Sequence, residues 1–346
     1  MDNGSTVILP DISAGNTKPP LSVDNAEFPP APKGKVGWPW DSPSRPLPMT
    51  QDWPSISIVT PSFNQGEFLE ETIRSVLLQG YPNLQYIVID GGSSDDSLSI
   101  LRKYAPWLAY WVSEADRGQP HAINKGLAVA SGSLFGFINS DDLLLPGALL
   151  AAGAAHAKAP HSLVAGDVIE FREPTANLQR VRQTGLEFET FVQLWKEVDW
   201  HQPGIFIPRE LFHKIGNFDE SLQFGFDYEF LCRALRCTDV CFLDEPVAMF
   251  RLHVDSKTTT NYALQVREQL RISRRYWHCL GKVDRAGYRR FAAERLFCAG
   301  LSRLLHGRDQ ALNLILEGFV AQPVWAVTVA ARQLPAWILS FLHRQS

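Results

Sequence analysis

Two adjacent carboxylates, Asp141 and Asp142, close the apolar run that passes through Phe137-Ile138-Asn139-Ser140. At the carboxyl end of a buried strand such a pair is suited to hold a hard divalent cation, and through it a pair of phosphates. The same dipeptide in an isolated loop is ordinary solvated turn chemistry. What else reaches the same place decides between the two. Two further polar clusters also end apolar runs: Thr60-Pro61-Ser62-Phe63-Asn64 after Ile56–Val59, and Asp90-Gly91-Gly92-Ser93-Ser94 after Tyr86–Ile89.

The elements that must position these groups follow from periodicity. Ile56–Thr60, Tyr86–Asp90, Tyr110–Val112 and Leu134–Ile138 read as short buried strands. Phe68, Leu69, Ile73, Val76 and Leu77 recur at helical spacing, as do Leu98, Ile100 and Leu101, and Gln119–Ala130 forms a third helical stretch. The order β-α-β-α-β-α-β predicts an α/β fold with a parallel sheet and right-handed crossovers. Parallel strands share a direction, so the three polar strand ends open on one edge, the geometry of a nucleotide site. No GxGxxG follows the first strand and the chain has no GxxxxGK[ST]. That removes the dinucleotide fingerprint and the P-loop, and favours a nucleoside diphosphate held through a metal.

The second half mixes elements. A helix is expected over Pro146–Ala157, a hairpin from Leu163–Arg172 and Leu178–Arg182, and a helix over Phe188–Val198. A strand at Gly204–Ile207, a helix over Asp227–Leu235 and strands at Val240–Leu243 and Val247–Leu252 follow. From about Thr260 the pattern is helical. Gly318–Ala331 is uncharged but shorter than the roughly 20 residues a bilayer span needs. Trp325, Leu334, Trp337, Ile338 and Phe341 give this end an apolar face, suited to domain packing or to peripheral membrane contact.

The bulk numbers set the class. With 346 residues, 45% hydrophobic and 20% charged, the chain can bury a substantial core. A net charge of −4 carries no basic footprint, so no nucleic-acid partner is expected. The five cysteines include no CxxC pair, which suits reduced thiols and a cytoplasmic setting. No charged stretch followed by an apolar one stands at the N-terminus, so no signal peptide is expected. Residues 1–52 hold ten of the 23 prolines and read as a Pro-rich, largely disordered arm. Trp38, Trp40 and Trp53 are the side chains through which it would be anchored if it lies along the domain surface. The expected organisation is this arm, a catalytic domain over 53–258, and a helical region over 259–346.

Four segments in order carry a family resemblance: Ile58-Val59-Thr60-Pro61-Ser62-Phe63-Asn64-Gln65-Gly66, Ile89-Asp90-Gly91-Gly92-Ser93-Ser94-Asp95, Ala122-Ile123-Asn124-Lys125-Gly126 and Asn139-Ser140-Asp141-Asp142. Together they resemble the family 2 glycosyltransferases, over roughly residues 55–255. The resemblance implies a GT-A fold, Rossmann-like with a mostly parallel sheet flanked by helices, here with a helical C-terminal extension. It implies a nucleotide-sugar donor, a saccharide or lipid-linked saccharide acceptor, Mg2+ or Mn2+, and inversion at the anomeric carbon. By position it puts Thr60, Pro61, Asn64 and Ser93 along the nucleotide and Asp90 at its base or ribose. Asp141 falls toward the ribose and Asp142 on the metal. His253 would complete the metal shell, and Arg251, two residues earlier on the same strand, would join it in addressing the diphosphate. Asp227, at the start of a helix after Gly216-Asn217-Phe218-Asp219-Glu220, matches the family's catalytic base; helix capping is its alternative use, and Asp219 the fallback base.

Three departures stand against the family pattern. Phe226 replaces the first acid of the usual pair before the base helix. Gly91 stands where many relatives carry a second acid that reads uracil, and His121 where an acid is common. A sugar nucleotidyltransferase, or a relative that binds nucleotide sugar without transfer, remains the alternative function. The first would want a Gly-rich basic loop after the first strand, where Pro61-Ser62-Phe63-Asn64 stands.

Overall fold

The structure is a computed structural model. It describes residues 28–41, 52–172, 178–196, 198–253, 262–305 and 311–322. The chain divides into two compact units. The first comprises residues up to Thr184, Asp199–Phe226 and Arg233–Leu252; the second comprises Gly185–Val198, Asp227–Cys232 and the chain from His253 on. The division therefore departs from a single boundary at residue 258, because two internal segments belong to the second unit.

The first unit opens with β1 (Ile56–Ser62), α1 (Gly66–Leu77), β2 (Leu84–Asp90), α2 (Ser97–Tyr104), β3 (Tyr110–Ser113), α3 (Gln119–Val129) and β4 (Leu134–Phe137). These are the four strands and three helices expected from the sequence. They pair in the order β3-β2-β1-β4, every pair parallel. Every residue of β1 is buried, as a central parallel strand covered on both faces requires. The fit of α3 onto β1 depends on Gly126, where a Cβ would lie 2.5 Å from a Val59 methyl.

Past β4 the sheet becomes mixed. β5 (Leu143–Leu144), α4 (Ala148–Lys158), β6 (Leu163–Phe171) and β7 (Gln179–Val181) come next. In the second unit, the expected helix from Phe188 lasts one turn, α5 (Phe188–Phe191). β8 (Ile205–Pro208) and α6 (Arg209–Ile215) return to the first unit, α7 (Phe226–Ala234) is shared by the two units, and β9 (Val240–Arg251), the last of the described strands in the chain, lies between β6 and the edge strand β5. The expected hairpin is the antiparallel β6–β7 pair. The two strands expected around residue 245 are one strand, β9, parallel to β6 with an irregular register at Asp167. The break in its sequence pattern at Asp244-Glu245-Pro246 is that irregularity. The two-residue β5 has too little pattern to be read from sequence; it pairs antiparallel with β9, Leu143 opposite Met249.

Part of the Pro-rich arm is built into the first unit. Arg74 of α1 is buried, and its guanidinium donates to the carbonyls of Pro29 (2.7 Å), Pro39 (3.1 Å) and Trp40 (2.9 Å) and to the Tyr104 hydroxyl (3.0 Å). The Phe28 and Trp40 rings lie over the same guanidinium, and the Trp38 indole donates to the Leu144 carbonyl at 2.8 Å. Residues 1–27 and 42–51 lie outside the described residues.

The second unit holds α5, residues Asp227–Cys232 and three further helices, α8 (Tyr262–Arg275), α9 (Arg285–Leu305) and α10 (Ala311–Ala321). Val266, Leu270, Tyr288, Ala292, Leu296 and Leu314 form its own core. Tyr276 donates to the buried Glu229 at 2.9 Å, and Tyr228 to the Val192 carbonyl at 2.9 Å. The expected apolar face at Trp325, Leu334, Trp337, Ile338 and Phe341 lies outside the described residues. No helix among those described is long and apolar enough to cross a membrane.

Candidate active site

Register brings the polar strand ends of the first unit level. Ser62 of β1 pairs with Asp90 of β2, and Asp90 with Ser113 of β3. On the other side of β1, Val59 pairs with Phe137, and the Ile138 amide continues the ladder to the Val59 carbonyl at 3.0 Å. Asn139–Asp142 thus leave the sheet at its carboxyl edge beside the loops after β1 and β2. Thr60, Pro61, Asn64, Asp90, Ser93, Asp141 and Asp142 all belong to this edge. Asp227 and His253 belong to the second unit.

The two loops beside the Asp pair are zipped together. Asn64 sits at φ 52°, a left-handed conformation that Asn tolerates better than most residues. Its amide donates to Ser93 Oγ (2.7 Å), and its side-chain oxygen accepts from the Ser94 amide (2.9 Å). Asp95 accepts from the Gly66 amide at 2.7 Å at the start of α1. Burial works against the Asp95 charge, but hydrogen bonds from Ser97 and Gly66 hold its carboxyl below the ordinary range. Asp90 is fully buried and accepts four hydrogen bonds, from the Gly92 amide (3.2 Å), the Ser93 amide (2.9 Å), Ser93 Oγ (2.5 Å) and Ser113 Oγ (2.6 Å). Its carboxylate, expected at the base or ribose, is used up in shaping its own loop. Thr60 differs from expectation in the same way, because it is fully buried and its hydroxyl bonds the Tyr86 hydroxyl at 3.0 Å. Pro61 is buried beside it. What these loops expose includes Asn64, Gly92, Ser94 and the ring of Phe63, which is 60% exposed.

Gly91 has a local cause. A Cβ added there would lie 2.8 Å from Asp116 Oδ2 and 3.3 Å from the Phe63 ring. The space that an acid at position 91 would enter is filled by a carboxylate from the loop before α3.

Asp142 is held from several sides. Its Oδ1 accepts from the Arg251 amide (3.0 Å) and its Oδ2 from Asn139 Nδ2 (3.1 Å), while Gln119 donates to Asn139 at 2.6 Å. Its carbonyl accepts from Thr72 at 2.8 Å. The carboxylate is fully buried, whereas Asp141 is only partly so. Burial pushes the Asp142 carboxyl well above the ordinary carboxylate range, and the neighbouring Asp141 pushes the same way. Hydrogen bonds from Arg251 and Asn139 offset only part of this. Of the two, Asp141, expected toward the ribose, is the more open, and Asp142, expected on the metal, is the more enclosed. An oxygen-only pair fits a hard cation such as Mg2+ or Mn2+. Among the described residues no group of three or more His, Cys, Asp and Glu side chains is placed to hold a metal.

Arg251 is also corrected. It was expected at the diphosphate, yet it is buried with its guanidinium between the Phe68 and Phe171 rings, 4.8 and 4.5 Å from their centroids. It donates to the Asp141 carbonyl (2.8 Å) and to Glu71 (2.6 Å). It therefore braces the Asp pair from behind. The strand ends at Arg251, so His253 lies beyond it and the two do not share a strand face as expected. Glu71, Thr72 and Gln119 were missed from sequence, since each is a helix residue with no motif of its own.

Asp219, the fallback base, and several other charged or polar side chains find structural partners. Asp219 accepts from the Ser221 amide and hydroxyl, a local turn. Arg117 pairs with Glu220 and Lys125 with Glu114, each at 2.5 Å. His201 bonds Glu170 at 2.9 Å and stacks on Phe250. Phe226 is buried against Phe137 and Phe218, so the first acid of the family pair is replaced by part of an aromatic cluster. In the second unit, Asp227 is half-buried and its Oδ1 accepts from the Tyr228 amide at 2.7 Å, in the first turn of α7. Glu229, two residues further along the helix and so on a different side from Asp227, accepts from Tyr276 at 2.9 Å.

Comparison with known proteins bears on the family and the fold. The model of the glycosyl transferase family 2 matches residues 57–222. An uncharacterized glycosyltransferase of Mycobacterium tuberculosis is 36% identical over 185 residues, covering 52% of this chain and 69% of that protein. A PGL/p-HBAD biosynthesis glycosyltransferase of Mycobacterium bovis is 30% identical over 210 residues, 58% of this chain and 75% of its own. Among solved structures, S. aureus TarS 1-349 in complex with UDP-GlcNAc aligns with a TM-score of 0.53 at 14% identity, covering 81% of this chain and 92% of that one. Against a longer TarS chain the TM-score is again 0.53, and the match spans only 50% of that chain. These structural likenesses speak to the fold, and the sequence relatives to the family. The chain belongs to glycosyltransferase family 2.

Proposed function

We propose that the chain transfers a sugar from a nucleoside-diphosphate sugar to an acceptor hydroxyl with inversion, in the synthesis of a polysaccharide or glycoconjugate on the cytoplasmic side. The observation that carries this reading is the Asp141–Asp142 pair at the carboxyl edge of β4, beside the loops that hold Asn64 and Ser93. The complexes of TarS with UDP-GlcNAc and with UDP support a nucleotide-sugar donor. The acceptor in this reading is a saccharide or a lipid-linked saccharide.

Asp141 would hold Mg2+ or Mn2+, with Asp142 adding negative charge behind it. Such a cation, when bound, neutralises charge growing on the departing diphosphate, a contribution of several kcal/mol. The zipped loops of Asn64 and Ser93 fix the nucleotide end without having to order on binding. Asp227 takes the proton of the acceptor hydroxyl. The freed oxygen forms its bond to the anomeric carbon opposite the bond that breaks to the diphosphate, so configuration inverts. His253 is kept as a supplementary ligand of the cation on family resemblance.

Nucleoside diphosphates with Mn2+ should raise the melting temperature, and EDTA should remove the rise. In Asp227→Asn that rise should persist while transfer slows by roughly 10² to 10⁴-fold. Wild-type transfer by Asp227→Asn would move the base elsewhere, with Asp219 next to be tried.

A further inference from the structure

The second unit carries a groove of about 1040 Å³ between α8, α9 and α10, distinct from the Asp141–Asp142 edge. Five arginines line it, Arg267, Arg271, Arg274, Arg275 and Arg289, against a single acid, Glu317. Arg267 is paired with Glu317 at 2.6 Å, and Arg274 lies 4.9 Å from the centre of the Tyr288 ring. Arg271 and Arg289 are exposed and take no hydrogen-bond or ion-pair partner among the described residues. In a chain of net charge −4, this is a local concentration of positive charge.

The walls between the arginines are apolar, with Leu270, Ala292, Leu296 and Leu316 among them. One wall continues onto the surface. Leu312, Leu316 and Val320 of α10 recur every four residues, so they share a face, and they are 66, 61 and 84% exposed. The opposite face of α10 is already occupied, with Leu314 in the core of the unit, and Phe319, at the margin of the exposed stripe, packs against Phe297. An ordinary surface helix turns polar residues to water, so a helix apolar on both sides calls for a second apolar surrounding.

We propose that this face docks on a bilayer of anionic phospholipid. Guanidinium groups bind phosphate oxygens in a bidentate manner, and an apolar stripe beside them can sink among the acyl chains. Soluble anions would use the arginines but leave the stripe in water. Nucleic acid would call for stacking platforms, and the only aromatic ring in the lining, Tyr288, is capped by Arg274. The proposal does not rest on the sugar-transfer reading.

The test is flotation of the full-length protein with vesicles of phosphatidylcholine, pure or containing 30% phosphatidylglycerol. Retention is expected on the anionic vesicles alone, weakening as salt rises. Arg271→Glu with Arg289→Glu should lower partitioning at least about tenfold, with the melting temperature unchanged because both side chains are exposed. Leu312→Gln, Leu316→Gln and Val320→Gln together should lower retention at 0.15 M salt by about the same factor. Equal retention on neutral vesicles, or retention untouched by either variant, would overturn the proposal. So would a vesicle-independent dimer dispersed by the arginine variant, which would assign the face to a second copy. Binding of inorganic phosphate or a single-stranded oligonucleotide without vesicle retention would overturn it as well.

Discussion

Asp90 and Asp142 are both wholly buried carboxylates near the carboxyl edge of one sheet, and they are used in opposite ways. Asp90 accepts four hydrogen bonds from its own loop and from Ser113. Asp142 has two side-chain hydrogen bonds and a second carboxylate next to it. A buried carboxylate with a full set of donors is a structural knot. One short of donors and pressed by a like charge is disfavoured in its charged form, so it holds a proton more readily and would gain from a nearby cation. Sequence alone ranks the two alike, since each is an acid at the end of an apolar run. The supply of donors around each one separates them.

The comparison can be broken experimentally, starting where the largest change is expected. Asp141→Ala should cut metal-supported sugar transfer by about a thousandfold. Activity in that variant near the wild-type level, with EDTA still inhibitory, would place the cation on other residues. Asp90→Ala should act on stability: four donors lose their acceptor, at a cost of roughly 3 kcal/mol and a melting point roughly 8 °C lower. A melting point within a degree of wild type would show that the Asp90 knot is dispensable.

The subtlest test concerns Asp142 in protein kept free of divalent cations. Its carboxyl is raised in the folded state, so between the ordinary carboxylate pKa and that raised value the folded protein binds more protons than the unfolded chain. Its contribution to stability must therefore fall as pH rises through that window. Asp142→Asn removes the charge and keeps the shape. The difference in melting temperature between Asp142→Asn and wild type should favour the variant increasingly from pH 4 upward, and added Mn2+ should narrow it. A flat difference would remove the electrostatic deficit assigned to this site.

Much of the first unit was legible in the sequence. Strands covered on both faces, such as Ile56–Val59 and Tyr86–Ile89, give continuous apolar runs, and the β-α alternation sets their order. The site was legible to the level of which loops meet, because parallel strands force their ends together. It was not legible to the level of which atoms face outward. Asp142 is buried and Asp141 more open because β5 pairs with β9 and thereby places the Arg251 amide at Asp142. That pairing involves a two-residue strand more than a hundred positions from its partner, beyond the reach of any local pattern. Arg251 read as a phosphate ligand for the same reason, since Phe68, Phe171 and Glu71 surround it only in the fold.

The Arg74 socket has a practical consequence. The family match begins at residue 57, which invites cutting the gene there or at Trp53. A protein so trimmed would lose the Pro29, Pro39 and Trp40 carbonyls and the Phe28 and Trp40 rings that enclose the guanidinium. The buried charge would keep Tyr104 but lose those three acceptors, beside a strip of core newly open to water. For expression, crystallisation or evolutionary tracing, the folded unit starts at or before Phe28, some thirty residues upstream of the point where homology becomes visible.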